Sequence, residues 1–156
     1  MSDFEFNAEQ WLPRPRDEVF PFFSEAHNLE TLTPPWLKFE VLTPPPIVMG
    51  SGTLIDYRIK IHGIPIRWRT EIVEWAPPLR FIDVQLRGPY TLWHHTHTFL
   101  EQDGGTLCRD DVRYRPRGGA LMNWLFVRGD IERIFQYRQK RLAELFPSSK
   151  ATPRIL

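Results

Sequence analysis

The sequence contains only one cysteine, Cys108, among its 156 residues. A single cysteine forms neither an internal disulfide framework nor a cysteine-based zinc site. The chain also lacks any apolar run close to the ~18 residues that a membrane-spanning helix needs. Its first ten residues, MSDFEFNAEQ, are acidic and polar, unlike the basic and then apolar start of a signal peptide. We therefore expect a cytoplasmic protein without an integral membrane segment.

An excess of one charge is missing as well. The chain has 20 basic and 19 acidic residues, and its formal net charge at pH 7 is +1. Because nucleic-acid binding usually needs a strong basic excess or a clustered basic patch, we expect no nucleic-acid partner. Two catalytic signatures are absent too, since the sequence has neither a G-x-S-x-G motif nor a glycine-rich phosphate loop.

Hydrophobic residues, in contrast, are plentiful. They make up 42% of the chain, and the aromatic residues include 11 Phe and 6 Trp. A chain of this length can bury a substantial core as one domain. Since no repeat, low-complexity segment or linker divides it, we expect one domain over residues 1–146 and a flexible tail over residues 147–156.

Hydrophobic periodicity predicts the order of the elements. Residues 3–12 predict a strand, residues 15–24 and 25–33 two short helices, and residues 37–116 six strands. Residues 120–146 predict a long amphipathic helix with these apolar positions: Trp124, Val127, Ile131, Ile134, Phe135, Leu142 and Leu145. This order indicates an α+β fold, in which a curved seven-stranded antiparallel sheet wraps around the C-terminal helix and leaves a cavity between them.

One hairpin assigns side chains to the two faces of this sheet. Asp103-Gly104 is a strong two-residue turn signal, and a turn there places His97 directly opposite Asp110. The other face of the hairpin carries charged residues that belong in water: Arg109, Asp111, Arg113 and Arg115. We therefore expect His95 and His97 to point inward and His94 to point to solvent.

The preceding hairpin is predicted to turn at Gly63-Ile64. This turn pairs Ile59 with Trp68 and Tyr57 with Thr70, and it places the lysine and arginine residues on the opposite face.

The strand at residues 79–88 has two possible inward faces. Apolarity alone turns one set inward: Ile82, Val84 and Leu86. A three-residue loop at 88–90 instead turns the other set inward: Phe81, Asp83 and Gln85. The second is favoured because it gives each inward histidine a carboxylate, with Asp83 beside His95 and Asp110 beside His97, and unpaired buried polar groups cost roughly 1–3 kcal/mol.

Several short motifs resemble those of one superfamily. They are carried by Leu32-Thr33-Pro34-Pro35-Trp36, Gly63-Ile64-Pro65, Trp68, Pro77-Pro78, Phe81, Asp83, Gln85, Gly88-Pro89-Tyr90, Trp93, His95, His97, Phe99, Asp110, Val112, Tyr114, Ile134-Phe135 and Tyr137-Arg138. Over residues 3–146 the chain resembles the SRPBCC superfamily, which includes START lipid-binding domains, plant pathogenesis-related proteins and polyketide cyclases. Within it, the chain is most similar to bacterial cyclase/dehydrase-like proteins. The resemblance implies a helix-grip fold with a cavity and supports an inward Asp83, but it implies little about chemistry.

The candidate ligand-binding residues share an inward position toward this cavity: Tyr57, Trp68, Phe81, Asp83, Gln85, Trp93, His95, His97, Phe99, Asp110, Tyr114, Trp124, Phe135 and Arg138. The candidate catalytic acids and bases among them are His95, His97, Asp110 and Tyr114. The aromatic residues either fill the core or form a pocket wall. Arg138 lies on the apolar stripe of the helix, so it either pairs with an inward aspartate or binds an anionic head group.

The two inward histidines allow three interpretations. His95 and His97, at i and i+2 with Asp110 across the strand, could bind zinc, although no fourth ligand is evident. They could also act as an acid–base pair. The favoured interpretation is a hydrogen-bonded network in which Asp83 and Asp110 orient the two rings. We therefore expect no metal and no cofactor.

Three functions are compatible with these residues. The favoured one is a cytoplasmic binding protein for a small hydrophobic ligand, such as a lipid, a quinone or a polyketide-like aromatic molecule. The alternative is a polyketide cyclase or dehydratase that uses the inward His, Asp and Tyr side chains. In the third, aromatic rings fill the cavity and the protein acts through a protein partner.

Overall fold

A computed structural model describes residues 3–148 of the chain. It contains seven strands: β1 Phe4–Leu12, β2 Glu40–Val41, β3 Leu54–Ile61, β4 Ile64–Ala76, β5 Arg80–Arg87, β6 Tyr90–Gln102 and β7 Gly105–Pro116. They form one antiparallel sheet in the order β1-β7-β6-β5-β4-β3-β2. The predicted seven-stranded antiparallel sheet is therefore confirmed, and in it the first strand pairs with the last. From residue 149 onward, the predicted tail lies outside the described residues.

The helices follow the predicted order. Two short helices, α1 Arg16–Phe23 and α2 Leu29–Leu32, come after β1. The C-terminal helix consists of α3 Gly119–Met122, a π-helical turn at Asn123–Val127 and α4 Arg128–Leu145. The buried residues of α4 recur every three or four positions and face the sheet: Ile131, Phe135, Arg138 and Leu142. None of the helices within residues 3–148 is long and apolar enough to cross a membrane.

The register of the β6–β7 hairpin is as predicted. Asp103 and Gly104 form its turn with φ values of 50° and 75°, which is the backbone that a two-residue turn of the primed type requires. His97 pairs with Asp110 and His95 with Val112. His95 and His97 are buried, whereas His94 lies half-buried on the outer face.

The β3–β4 hairpin differs from the prediction. Its turn is His62-Gly63 rather than Gly63-Ile64, so Ile59 pairs with Ile66 and Tyr57 with Trp68. Both turn residues have positive φ, 50° and 80°, a conformation that the β-branched Ile64 disfavours. The partners shift by two residues along the strand, so the predicted inward face is unchanged.

The strand β5 adopts the second of its two predicted faces. Asp83 pairs with His95 and Phe81 pairs with His97. The loop that follows is closed by Gln85, whose side chain donates to the carbonyl of Tyr90 at 2.7 Å and accepts from its N–H at 3.0 Å. A Cβ at Gly88 would lie 2.6 Å from Gln85 Oε1, so a larger residue there would displace the Gln85 side chain from these hydrogen bonds.

Two predicted segments are shorter or rotated. Only Glu40–Val41 of the predicted strand at 37–43 pairs with β3, because Lys38 adopts a left-handed conformation with φ 48° after a 3₁₀ turn. Trp124 was expected to point inward but is 79% exposed. The π-helical turn adds a residue to the helical spacing, so the inward positions before Val127 fall on Met122 and Asn123.

A buried hydrogen bond anchors this turn to the sheet. The Tyr114 hydroxyl donates to Asn123 Oδ1 at 2.6 Å, and Tyr114 is fully buried.

Removal of the Tyr114 hydroxyl leaves a buried acceptor unpaired, so we expect Tyr114→Phe to lower the free energy of unfolding by about 1–3 kcal/mol in urea titrations. Tyr137→Phe is the matched control, because Tyr137 makes ring contacts but no side-chain hydrogen bond within residues 3–148. An unchanged stability in Tyr114→Phe would contradict this role.

Candidate functional site

A cavity of about 770 Å³ lies between the inner face of the sheet and the helices. Its walls are mainly apolar side chains from β3, β4 and the segments that precede them: Leu29, Leu32, Met49, Ile55, Ile59, Ile66 and Ile72. A smaller group of polar side chains contributes to the same cavity: Tyr57, Thr70, Asp83, His95, His97 and Arg138. The position of the predicted cavity, between sheet and C-terminal helix, is therefore confirmed.

Nine of the fourteen candidate ligand-binding residues line this cavity: Tyr57, Trp68, Phe81, Asp83, Trp93, His95, His97, Phe135 and Arg138. Their aromatic members form edge-to-face and tilted pairs, such as Trp68 with Trp93 at 5.4 Å between ring centroids. The structure brings these residues together because β3 to β6 present seven of them from the same face and α4 presents Phe135 and Arg138 toward that face.

The other five candidates do not line the cavity: Gln85, Phe99, Asp110, Tyr114 and Trp124. Gln85 and Tyr114 use their polar groups in the hydrogen bonds described above, and Trp124 points to solvent. Phe99 packs 5.1 Å from Phe20 and 5.0 Å from Phe23, within the core beneath α1.

Asp110 lies behind the two histidine rings. These four residues, Asp83, His95, His97 and Asp110, are called the histidine–aspartate cluster below. The rings of His95 and His97 stack at 3.6 Å between centroids, and Phe81 stacks on the other side of His97 at 4.0 Å. A carboxylate lies at each edge of the imidazole stack.

The pairing within the cluster is diagonal, not direct. His95 Nε2 lies 2.8 Å from Asp110 Oδ1, and His97 Nε2 lies 2.6 Å from Asp83 Oδ2. The prediction that Asp83 is the partner of His95 and Asp110 that of His97 is therefore wrong, although all four residues point inward. Nε2 is the ring atom farthest from the backbone, so it passes the directly opposed position and reaches the diagonal neighbour. The direct neighbours make longer contacts, at 3.9 and 3.5 Å.

Arg138 supplies the positive charge beside the cluster. Its Nη2 lies 3.5 Å from Asp110 Oδ1, and its guanidinium lies 5.3 Å from the Phe23 ring centroid and 5.8 Å from that of Phe135. The predicted pairing with an inward aspartate is therefore present. Its Nε is buried and has no hydrogen-bond partner within residues 3–148. Arg138 is thus only partly satisfied by the protein.

Burial and charge shift the pKa values of this cluster. Burial lowers the pKa of His97 to about 4, and His95 adds to this against the opposite effect of Asp83. Burial by itself raises the pKa of Asp110, but Arg138 and the hydrogen bond from His95 hold it below its usual value. Burial likewise opposes ionisation of Asp83, yet the hydrogen bond from His97 keeps its pKa low. At neutral pH the two carboxylates are therefore ionised and His97 is neutral.

This protonation state limits the chemistry of His97. Its Nε2 donates to the ionised Asp83, so in the neutral ring the lone pair is on Nδ1. Nδ1 is itself buried and has no hydrogen-bond partner within residues 3–148. A base with a pKa of about 4 and a covered lone pair is poorly suited to accept a proton near pH 7.

Three of the cluster residues could hold a metal. One ligand atom each from Asp83, His95 and His97 lies within 4.8 Å of the others, and Asp110 would act as the outer carboxylate that orients the rings. To bind a metal through Nε2, however, His97 would have to release its 2.6 Å hydrogen bond to Asp83. The donor set fits a zinc-type ion in composition, while its present geometry is that of hydrogen-bonded pairs.

Sequence reasoning missed two features of the cavity. Tyr90 lines it, and burial raises the pKa of its hydroxyl well above the usual value. The second feature is the exposed side of the cavity wall, formed by Trp36 and His62 and called the cavity mouth below. There His62 of the β3–β4 turn bonds Asp130 at 2.9 Å and connects the hairpin to the C-terminal helix. An exposed histidine next to glycine at a hairpin tip was a possible signal for the mouth, but its partner lies 68 residues away.

Comparison of the sequence with known protein families assigns the chain to one of them. The model for the family of polyketide cyclase/dehydrase and lipid transport proteins matches residues 12–139. The chain belongs to this family. No curated protein sequence matches this polyketide cyclase/dehydrase family member significantly.

Solved structures share its fold. The Zhui aromatase/cyclase from Streptomyces sp. R1128 matches with a TM-score of 0.75 and 12% identity over 97% of this chain and 98% of that chain. Ara h 8.0201 matches with a TM-score of 0.71 and 15% identity over 95% and 100%. TTHA0849 from Thermus thermophilus matches with a TM-score of 0.59 and 24% identity over 90% and 92%. At these identities the likeness establishes the helix-grip fold alone.

The lowered pKa of His97 makes the stability of this family member depend on pH. An unfolded histidine titrates near 6.5, whereas His97 in the fold titrates near 4. The folded state therefore has its full stability with respect to His97 above about pH 6.5. Between pH 6.5 and 4 the unfolded state binds one more proton at this residue, so stability is lost as the pH falls. We expect the free energy of unfolding to fall by about 1.4 kcal/mol per pH unit in that interval. His97→Gln should reduce this slope by about one proton, and a slope equal to that of the unmodified chain would contradict a neutral His97.

We also expect no stoichiometric metal on the protein. Asp83 Oδ2 already accepts from His97 Nε2 at 2.6 Å, so a metal bound through these two atoms would have to replace an existing bond. Elemental analysis of the protein purified without chelator tests this. A metal that is present at one equivalent and is lost in His95→Ala would contradict this prediction and show that the cluster is a metal centre.

Proposed function

We propose that this family member is a cytoplasmic binding protein that holds a small hydrophobic ligand in the cavity between the sheet and the C-terminal helix. The cavity itself carries the proposal. Its volume of about 770 Å³ falls within the roughly 300–1,000 Å³ of small-molecule sites, and its wall has the expected apolar surface with a few convergent polar groups. A core filled by aromatic rings, as in the protein-partner hypothesis, would leave no such space. The cytoplasmic location is supported only by the lone Cys108, which is buried and forms no disulfide.

The apolar wall would provide most of the binding free energy. Each methylene group that a ligand transfers from water to such a wall contributes about 0.8 kcal/mol. The isoleucines of β3 and β4 are held by the sheet, so the wall is formed before the ligand enters.

Charge in the cavity favours a neutral ligand. At the buried end of the cavity, Asp83 and Asp110 are opposed by a single guanidinium, that of Arg138. The other charged lining residues, Arg117, Asp130 and Arg133, are exposed or half-buried. Burial and the nearby Asp83 raise the pKa of Tyr57, so its hydroxyl keeps its proton. A carboxylate or phosphate on the ligand would be repelled by Asp83, whereas a carbonyl or hydroxyl oxygen would accept a hydrogen bond from a donor such as the Tyr57 hydroxyl. A quinone, an ester or an alcohol therefore fits better than a fatty acid.

Native mass spectrometry after gentle purification tests the binding proposal. We expect a co-purifying apolar molecule, or saturable uptake of a long-chain alcohol that exceeds uptake of the corresponding acid. Ile66→Trp places a large ring in the cavity and should abolish this binding. The matched control is Val73→Trp, which makes the same kind of change on the exposed outer face of the same strand. Equal binding by Ile66→Trp and the unmodified chain would refute the cavity as the ligand site.

A cyclase or dehydratase activity is the second candidate function. One observation favours it: Asp83 and His97 form a hydrogen-bonded pair on the cavity wall. Two of the four candidate acids and bases, Asp110 and Tyr114, nevertheless lie outside the cavity. This position weakens their predicted role as catalytic residues. The variant His97→Gln distinguishes the two functions. The binding proposal expects ligand uptake to change by less than about tenfold with no turnover lost, whereas an enzyme would lose turnover of its substrate.

A further inference from the structure

The start of the C-terminal helix is apolar on its exposed side. Residues 119–127, GALMNWLFV, contain no charged side chain, and five of them expose large apolar groups: Leu121, Met122, Trp124, Leu125 and Phe126. These five residues are called the helix-start patch. Trp124 is 79% and Leu121 63% exposed. Adjacent exposed side chains of this size usually mark an interaction site.

Polarity in this segment is the reverse of that in a surface helix. The one polar side chain, Asn123, points inward and accepts the hydrogen bond from Tyr114 at 2.6 Å. Four members of the patch are at least 48% exposed, and Met122, at the edge of the patch and of the cavity, is 37% exposed. Because Asn123 points inward, most of this apolar surface faces outward.

The patch lies beside the mouth of the cavity. Met122 lines the cavity, and the Phe126 ring lies 6.1 Å from the ring of His62 at the tip of the β3–β4 hairpin. Next to that tip, Ile64 is 64% exposed. Trp36, which also lines the cavity, is exposed as well. The exposed apolar surface thus extends from the helix to the hairpin.

The charges around the patch are positive or neutralised. Arg117 and Arg128 border the apolar run, and Lys60 precedes the hairpin tip. Arg117 and Lys60 form no salt bridge within residues 3–148. The carboxylate of Asp130, the first acidic residue after the run, is bonded by Arg133 at 2.5 Å and by His62 at 2.9 Å.

We propose that the helix-start patch docks this protein on an anionic lipid bilayer, with the cavity mouth facing the membrane surface. Trp, Phe and Leu side chains bordered by arginine are typical of helices that lie in the bilayer interface. The cationic groups of Arg117 and Lys60 complement the lipid phosphates. The inference is independent of whether the cavity holds a ligand.

Vesicle cosedimentation with the full chain tests the proposal. We expect the protein to pellet with phosphatidylcholine vesicles that contain phosphatidylglycerol, and less with phosphatidylcholine alone or at high salt. Trp124→Ser combined with Leu125→Ser should reduce partitioning by about tenfold or more for each side chain. The matched control is Val73→Ser combined with Leu86→Ser, which removes two exposed apolar side chains from the outer face of the sheet and should bind like the unmodified chain.

Three results would overturn the proposal. The first is that the unmodified chain binds neither vesicle. The second is that the Trp124/Leu125 double variant binds as tightly as the unmodified chain. The third is a dimer in light scattering that only this double variant dissociates, since the patch would then serve a second copy. Ligand uptake in native mass spectrometry is measured without vesicles, so failure of the membrane proposal and failure of the binding proposal are distinguishable.

Discussion

The alternation of inward and outward side chains along β6 and β7 is the constraint on which the site depends. The turn at Asp103-Gly104 fixes the pairing of these strands. A slip of one residue would pair His97 with Arg109, so that either Arg109 and Arg113 turn into the core or His95 and His97 turn outward. Because an unpaired buried charge costs several kcal/mol, only the observed register is tolerated. The cluster is thus held in place by charges on the opposite face of the sheet.

The C-terminal helix connects this cluster with the rest of the molecule. Its buried face brings Arg138 to Asp110, and this guanidinium keeps a carboxylate ionised in the core. At its start, the π-helical turn points Asn123 inward and leaves the helix-start patch outside. One helix therefore closes the cavity, balances its charge and presents an apolar surface beside its mouth. The proposed ligand site and the proposed docking surface together would let the protein take an apolar molecule from, or deliver it to, a lipid phase.

Much of the fold followed from local sequence, and the exceptions have physical causes. Asp103-Gly104 fixed one register because both residues tolerate positive φ, whereas His62-Gly63 was misplaced by one position since histidine is a weaker turn signal. The inward placement of Asp83 needed the resemblance to a family, because apolarity alone favoured Ile82. Trp124 could not be placed, since a π-helical turn leaves no mark in a pattern read at 3.6 residues per turn. The diagonal histidine–aspartate bonds depend on ring stacking, which strand register does not specify.

Methyl NMR during titration with a long-chain alcohol tests the central claim most directly. If an apolar ligand binds between the sheet and the C-terminal helix, the methyl signals of Ile59, Ile66 and Ile72 should shift and saturate together, since all three line the cavity. The methyl signals of Val73 and Leu86, on the outer face of the sheet, should stay unchanged. Shifts confined to outer methyl groups, or no saturable shift at the three isoleucines, would contradict the account.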